Sequence, residues 1–194
     1  MLNLTKKVFS GLAILLVASC GLFMDPVPEE STPVISSTIE PIQLKVRSID
    51  VVSEFAPTFT RPNIEHLLPV SIERNARAWA RERLEAVEPH STKVATFIIK
   101  DASMTEEFEK SDSILRKDRN NYRATLSIVL KIADTEKVSS AETSTTVWKE
   151  LGIPADLTIE HKEAHWNRMI REMFEQFNEA MTNGVEKNLG QYVR

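Results

Sequence analysis

Residues 122–132 read YRATLSIVLKI, with Tyr122, Ala124, Leu126, Ile128, Leu130 and Ile132 alternating against Arg123, Thr125, Ser127 and Lys131. Side chains of a strand point to opposite faces in turn, so a two-residue period with one apolar and one polar set predicts a strand with one face on a core and one in water. The stretch 134–137 that follows predicts a hairpin turn, and residues 138–148, rich in Ser and Thr, predict the returning strand. Upstream, VATFIIK at 94–100 is apolar on both faces, which fits a central strand. Residues 42–52, where Ile42, Leu44 and Val46 alternate with Gln43, Lys45 and Arg47, predict another half-buried strand.

Two segments change period. Ser71 is a suitable N-cap for a helix over 71–87, whose apolar face is Ile72, Ala76, Trp79, Ala80, Leu84 and Val87. Its outer face offers i,i+4 pairs between Glu73 and Arg77 and between Arg81 and Glu85. A second helix over 158–189 carries Trp166, Met169, Ile170, Met173, Phe174, Phe177, Ala180 and Met181 at three- and four-residue intervals, with Gly184 expected to loosen or end its last part. Residues 53–69, with three prolines, read as loop. The expected fold is α+β: a four-stranded, mostly antiparallel sheet with two helices packed on one face, in the order β-α-β-β-β-α. Trp79 and Trp166 are core by their helical spacing. Trp148 is the better surface candidate, although its large apolar area favours packing.

The chain has 194 residues, 42% hydrophobic and 27% charged, with a formal net charge of −4 and one cysteine. That is enough apolar material for one core, and a single cysteine excludes an intrachain disulfide scaffold. With 24 basic against 28 acidic residues, no positive excess is available to displace counterions from nucleic acid. The stretch 25–41 (DPVPEESTPVISSTIEP) holds four prolines, five Ser or Thr residues and no basic residue, which predicts an extended tether.

Little in the chain points to catalysis. Five scattered glycines cannot form a phosphate-binding loop, and there is no G-x-S-x-G elbow. HKEAH at 161–165 sets His161 and His165 one helical turn apart, a spacing zinc accepts. No third ligand is suggested, so these two are the weak metal candidates and solvated helix residues are the expectation. Arg116, Lys117, Arg119 and Arg123 crowd the entry to the 122–132 strand and are candidate contacts for an anionic ligand or a partner. Neighbouring Asp112 and Asp118 make a salt-bridged surface the expectation. No cofactor and no catalytic residue is assigned, and the reading is non-enzymatic.

At the N-terminus, Lys6 and Lys7 precede an apolar run at 8–17. That run is shorter than the roughly 20 residues a membrane span needs and suits the core of a secretory signal. Val17-Ala18-Ser19-Cys20 resembles the lipobox of bacterial lipoproteins. Small residues let a peptidase reach the backbone, and the thiol is the nucleophile that takes the lipid. The expected organisation is a signal peptide at 1–19, lipidated Cys20 opening a tether at 20–41, and one periplasmic domain at 42–194. Removing Lys6 and Lys7 takes the charge from −4 to −6. Several acyl chains on one cysteine would anchor it durably.

With VASC at 17–20, the alternating strand at 122–132, the Ser/Thr-rich strand after it and the amphipathic NRMIREMFEQFNEAM at 167–181, the chain resembles the lipopolysaccharide-assembly lipoprotein family. Its members sit inside or beside an outer-membrane barrel. Auxiliary lipoproteins of ABC-type transport systems are similar. The resemblance implies an accessory role in envelope assembly or lipid transport through contact with an outer-membrane barrel or an ABC-type transport subunit. The alternative is a lipoprotein that binds or processes a small envelope ligand in a pocket between helices and sheet. Gly21, in place of the aspartate that retains lipoproteins in the inner membrane, implies the periplasmic face of the outer membrane.

Overall fold

The computed structural model describes residues 40–113 and 115–194. The signal segment 1–19, Cys20 and most of the tether at 20–41 lie outside the described residues.

The central element is β6 (Arg119–Asp134). Tyr122, Ala124, Leu126, Ile128, Leu130 and Ile132 are each 1% exposed or less, as the alternation requires. β7 (Ser140–Pro154) pairs antiparallel with it from Ala133↔Ser140 to Arg119↔Pro154. The connecting turn is held by Asp134, whose Oδ1 accepts the N–H groups of Glu136 at 3.0 Å and Lys137 at 3.2 Å. The Glu136 bond is the main cause that lowers the Asp134 carboxyl pKa from its ordinary value.

On its other edge β6 is shared by two strands, β4 (Lys93–Asp101) and β5 (Met104–Glu109), both antiparallel. Outside β4 lies β2 (Ser48–Ser53), paired parallel to it. Among the described residues the sheet therefore has five strands rather than four; it is mostly antiparallel, as expected, and the parallel β2–β4 pairing makes it mixed. The strand expected over 42–52 is two strands. β1 (Ile42–Leu44) pairs parallel with β3 (Leu84–Ala86) in a separate small sheet, and the chain bends at residues 45–47 before joining β4. Val46 is fully buried through this bend, so the burial alternation survives a change of partner that period alone does not report. β5 escapes notice because its sequence is MTEEFE, and Glu is depleted in strands.

Helix α1 (Ile72–Arg83) begins at Ser71, whose Oγ accepts the Arg74 N–H at 3.1 Å. It ends four residues before the expected Val87, because residues 84–86 extend to pair with β1. The predicted Glu73–Arg77 pair forms at 2.8 Å. Glu85 instead lies on β3 and accepts from Gln43 at 3.1 Å. Helix α2 (Ile159–Leu189) buries Trp166, Met169, Ile170, Met173, Phe174, Phe177 and Met181 and extends that stripe through Val185 and Leu189, while Ala180 is exposed. It runs straight through Gly184. A Cβ there would stand 2.8 Å from Thr143 Oγ1 on β7, so this glycine permits close approach rather than ending the helix.

Both helices lie on the same face of the sheet. Trp79 of α1 stacks against Phe97 of β4 at 5.7 Å and meets Phe177 of α2 edge-on at 4.9 Å. Burying each such side chain is worth about 1.5–3 kcal/mol. The helix–sheet space is filled by these rings and by the Tyr122–Trp166 pair at 5.4 Å. Among the described residues, no helix is long and apolar enough to cross a membrane.

Candidate interaction edge

Among the described residues β7 is an edge strand: its strand partner there is β6 alone, along 15 residues. Ladder geometry decides which of its backbone groups are free. Thr125 N–H donates to Ser103 O at 2.9 Å and Thr135 N–H to Thr92 O at 2.8 Å, both toward the β4/β5 side, whereas Asp134 N–H donates to Ser139 O at 3.0 Å, toward β7. Antiparallel residues alternate in the direction of their N–H and C=O groups. Even-numbered residues of β6 therefore address β7, where they pair with odd-numbered residues such as Lys149, opposite Ala124. The backbone groups of Glu142, Ser144, Thr146, Trp148 and Glu150 consequently point away from the sheet.

This edge is flanked on both faces. On the helix side, Lys149 pairs with Glu172 of α2 at 3.2 Å, and a cleft of 230 Å³ runs beside it, lined by Leu151, Arg168 and Met169 among others. On the open face, Trp148 is 54% exposed, contrary to the packing expected for it. The even positions of β7 face water once the helices occupy the other side. The Arg123 guanidinium lies 5.5 Å over its ring and pairs with Glu150 at 3.1 Å.

The four basic candidates do not converge on one point. Arg116, Lys117 and Arg119 line an open 510 Å³ cleft at the β5–β6 connection, together with Lys110 and the carboxylates Glu109 and Asp112. Arg123 lies with Arg119 in an adjoining cleft on the open face. Lys117 is paired with Asp156 at 2.7 Å, a hydrogen bond that lowers the Asp156 carboxyl pKa. Arg119 donates to the Gly152 carbonyl at 2.7 Å. Among the described residues Arg116 makes no side-chain ion pair. His161 Nδ1 is 2.7 Å from Thr158 Oγ1, and His165 Nδ1 is 3.5 Å from Arg168 Nη2. No group of three potential metal ligands occurs among the described residues.

Sequence reasoning missed a polar cluster under the start of β6. Glu106 Oε1 accepts from Tyr122 OH at 2.7 Å and Asn120 Nδ2 at 2.9 Å, and Arg61 pairs with its other oxygen. Burial first, and then the Glu106 bond, push the Tyr122 phenol up to about 12. The cluster satisfies a carboxylate at the end of the core, and no periodic signal marks it because its members come from three segments.

Among the described residues, fold and edge together describe a two-layer α+β domain whose long strand β7 is paired on one side. In comparison with known proteins, the chain matches no protein-family model and no curated protein sequence. Among solved structures it is similar to a minor lipoprotein from Acinetobacter baumannii, at 9% identity and a TM-score of 0.39, over 75% of this chain and 96% of that one.

Proposed function

We propose that this chain is a lipid-anchored, periplasm-facing accessory protein of cell-envelope assembly or lipid transport, non-enzymatic and acting by protein contact. Cys20 would carry the anchor, as the Val17-Ala18-Ser19-Cys20 stretch suggests, and the outer membrane would be its site. The observation that carries the reading is the filled helix–sheet interior beside a β7 edge that has no further strand partner among the described residues. The space a small ligand would need between the layers is occupied by Trp79, Phe97, Phe177 and Trp166. Backbone groups able to accept another chain are exposed instead.

The test is a mild crosslink and pull-down of the full chain from membranes. Recovery of an outer-membrane barrel or transporter subunit supports the reading, and a clean monomer with no partner sinks it. Cys20→Ala should move the chain from the membrane to the soluble fraction.

A further inference from the structure

We propose that residues 58–62 form a flap that closes over the outer edge of β5, with the Arg61–Glu106 ion pair as its latch. Between the end of β2 at Ser53 and the start of α1 at Ile72, the chain passes along β5. There it makes an antiparallel bridge between Asn63 and Thr105. Ile64 N–H donates to the Met104 carbonyl at 2.7 Å, and Glu106 N–H donates to the Pro62 carbonyl at 2.8 Å. Arg61 pairs with Glu106 Oε2, the oxygen that Tyr122 and Asn120 do not use. The flap gates this edge: closed, it occupies the Glu106 N–H and Oε2; open, it releases both.

The two halves of the passage are held differently. On the α1 side Ile64, Glu65 and Leu68 are buried, so this half belongs to the core. On the other side Thr58, Phe59, Thr60, Arg61 and Pro62 are all exposed. Phe59 has a φ of 55°, in the left-handed region that a bulky residue adopts only at a cost. Part of the bonding travels with the flap: Asn63 N–H donates to the Thr60 carbonyl at 2.9 Å and Asn63 Nδ2 to Thr58 Oγ1 at 2.6 Å, which closes a turn within 58–63. Swinging that turn about the Asn63–Ile64 link breaks the latch and the Glu106 N–H bond. It also breaks the 3.4 Å bond from Thr58 N–H to Glu65 Oε1 and parts the Phe59 and His66 rings, 5.6 Å between centroids. The latch is the strongest of these, because hydrogen bonds between charged groups are about twice as strong as neutral ones. The Glu106 side chain is 8% exposed and that of Arg61 75%, so a carboxylate set in the body is balanced by a cation reaching in from solvent. Exposed segments with few buried apolar contacts open below the free energy of global unfolding.

Native-state amide hydrogen exchange of the full chain, followed through low urea concentrations, reads the two halves separately. The Glu106 amide reports the flap, and the Ile64 amide reports the pivot. Exchange of the Glu106 amide should be nearly independent of urea, as a small local opening requires, while that of Ile64 should climb with the slope of global unfolding. Arg61→Ala should speed the Glu106 amide about tenfold and leave its urea dependence flat. Arg61→Lys, which keeps the charge, should fall between that variant and the parent. A Glu106 amide that climbs with the same slope as Ile64 overturns the flap, since the segment would then leave β5 only when the whole fold does. Flat exchange that Arg61→Ala does not change overturns the latch, and flat exchange at both amides overturns the pivot.

Discussion

Arg119 crosses β7 directly over Gly152: its Nη2 donates to the Gly152 carbonyl at 2.7 Å, and a Cβ at position 152 would stand 2.6 Å from that nitrogen. A glycine in the edge strand thus lets a side chain of the neighbouring strand cap an outward carbonyl. Gly152→Ala should push Arg119 aside and uncap that carbonyl. Because the displaced group is the end of a flexible side chain, the expected cost is at most about 1 kcal/mol, read as a small shift in the urea midpoint. A cost of several kcal/mol would mean that the backbone, not the guanidinium, is what the glycine accommodates.

Asn178 of α2 holds α1 in place. Its Oδ1 accepts from Trp79 Nε1 at 3.1 Å and from Arg83 Nε at 3.0 Å. Arg83 is 4% exposed, its pKa is lowered by burial, and it also reaches the Glu40 carbonyl. Asn178→Leu would leave two buried donors without this acceptor and should cost about 2–4 kcal/mol. Asn178→Asp keeps an acceptor oxygen and should cost much less. Equal losses in the two variants, measured by denaturant unfolding, would remove the hydrogen bonds from the explanation.

Tyr122 makes stability depend on alkaline pH. Its phenol, near 10 in an unfolded chain, is pushed up to about 12 in the fold, so above pH 10 the unfolded state loses its proton first and the folded state holds it longer. The contribution is complete below pH 10 and is lost as pH rises toward 12. The unfolding midpoint of the parent should therefore fall across pH 10–12 more steeply than that of Tyr122→Phe. Parallel profiles would contradict the assignment.

Gly184 and Thr143 form a coupled pair. Alanine is favoured over glycine inside a helix by about 1 kcal/mol, yet Gly184→Ala should destabilise, since its Cβ would meet Thr143 Oγ1 at 2.8 Å. Thr143→Ala removes that obstacle, along with the bond from Asn188 Nδ2 at 3.0 Å. In a double-mutant cycle the two changes should cost less together than the sum of the single variants. Additivity would show that the helix does not press on β7 at this point.

The parts of the fold that rest on periodicity are readable in advance: the 122–132 body of β6 and its two faces, the Ser71 cap, the 134–137 turn and the buried stripe of α2 apart from Ala180. The acidic strand β5 was not, because Glu106 becomes acceptable in a strand only when Tyr122, Asn120 and Arg61 meet it from elsewhere in the chain. Arg116, Lys117, Arg119 and Arg123 were visible as a cluster along the chain. That they divide between two clefts, and that three of them are committed to Asp156, the Gly152 carbonyl and Glu150, depends on residues 27 to 39 positions away.

By itself the sequence determined which side of each element is apolar, and so the α+β class and the single large core, because side-chain period is a local property of backbone geometry. Partner choice was decided only in three dimensions. The split of residues 42–52 between two sheets, the sharing of one edge of β6 by β4 and β5, and the outward phase of the β7 ladder all depend on which strands meet and in what register. Pairing is a contact between distant segments, and a two-residue period looks the same whether a strand ends beside another strand or at an open edge.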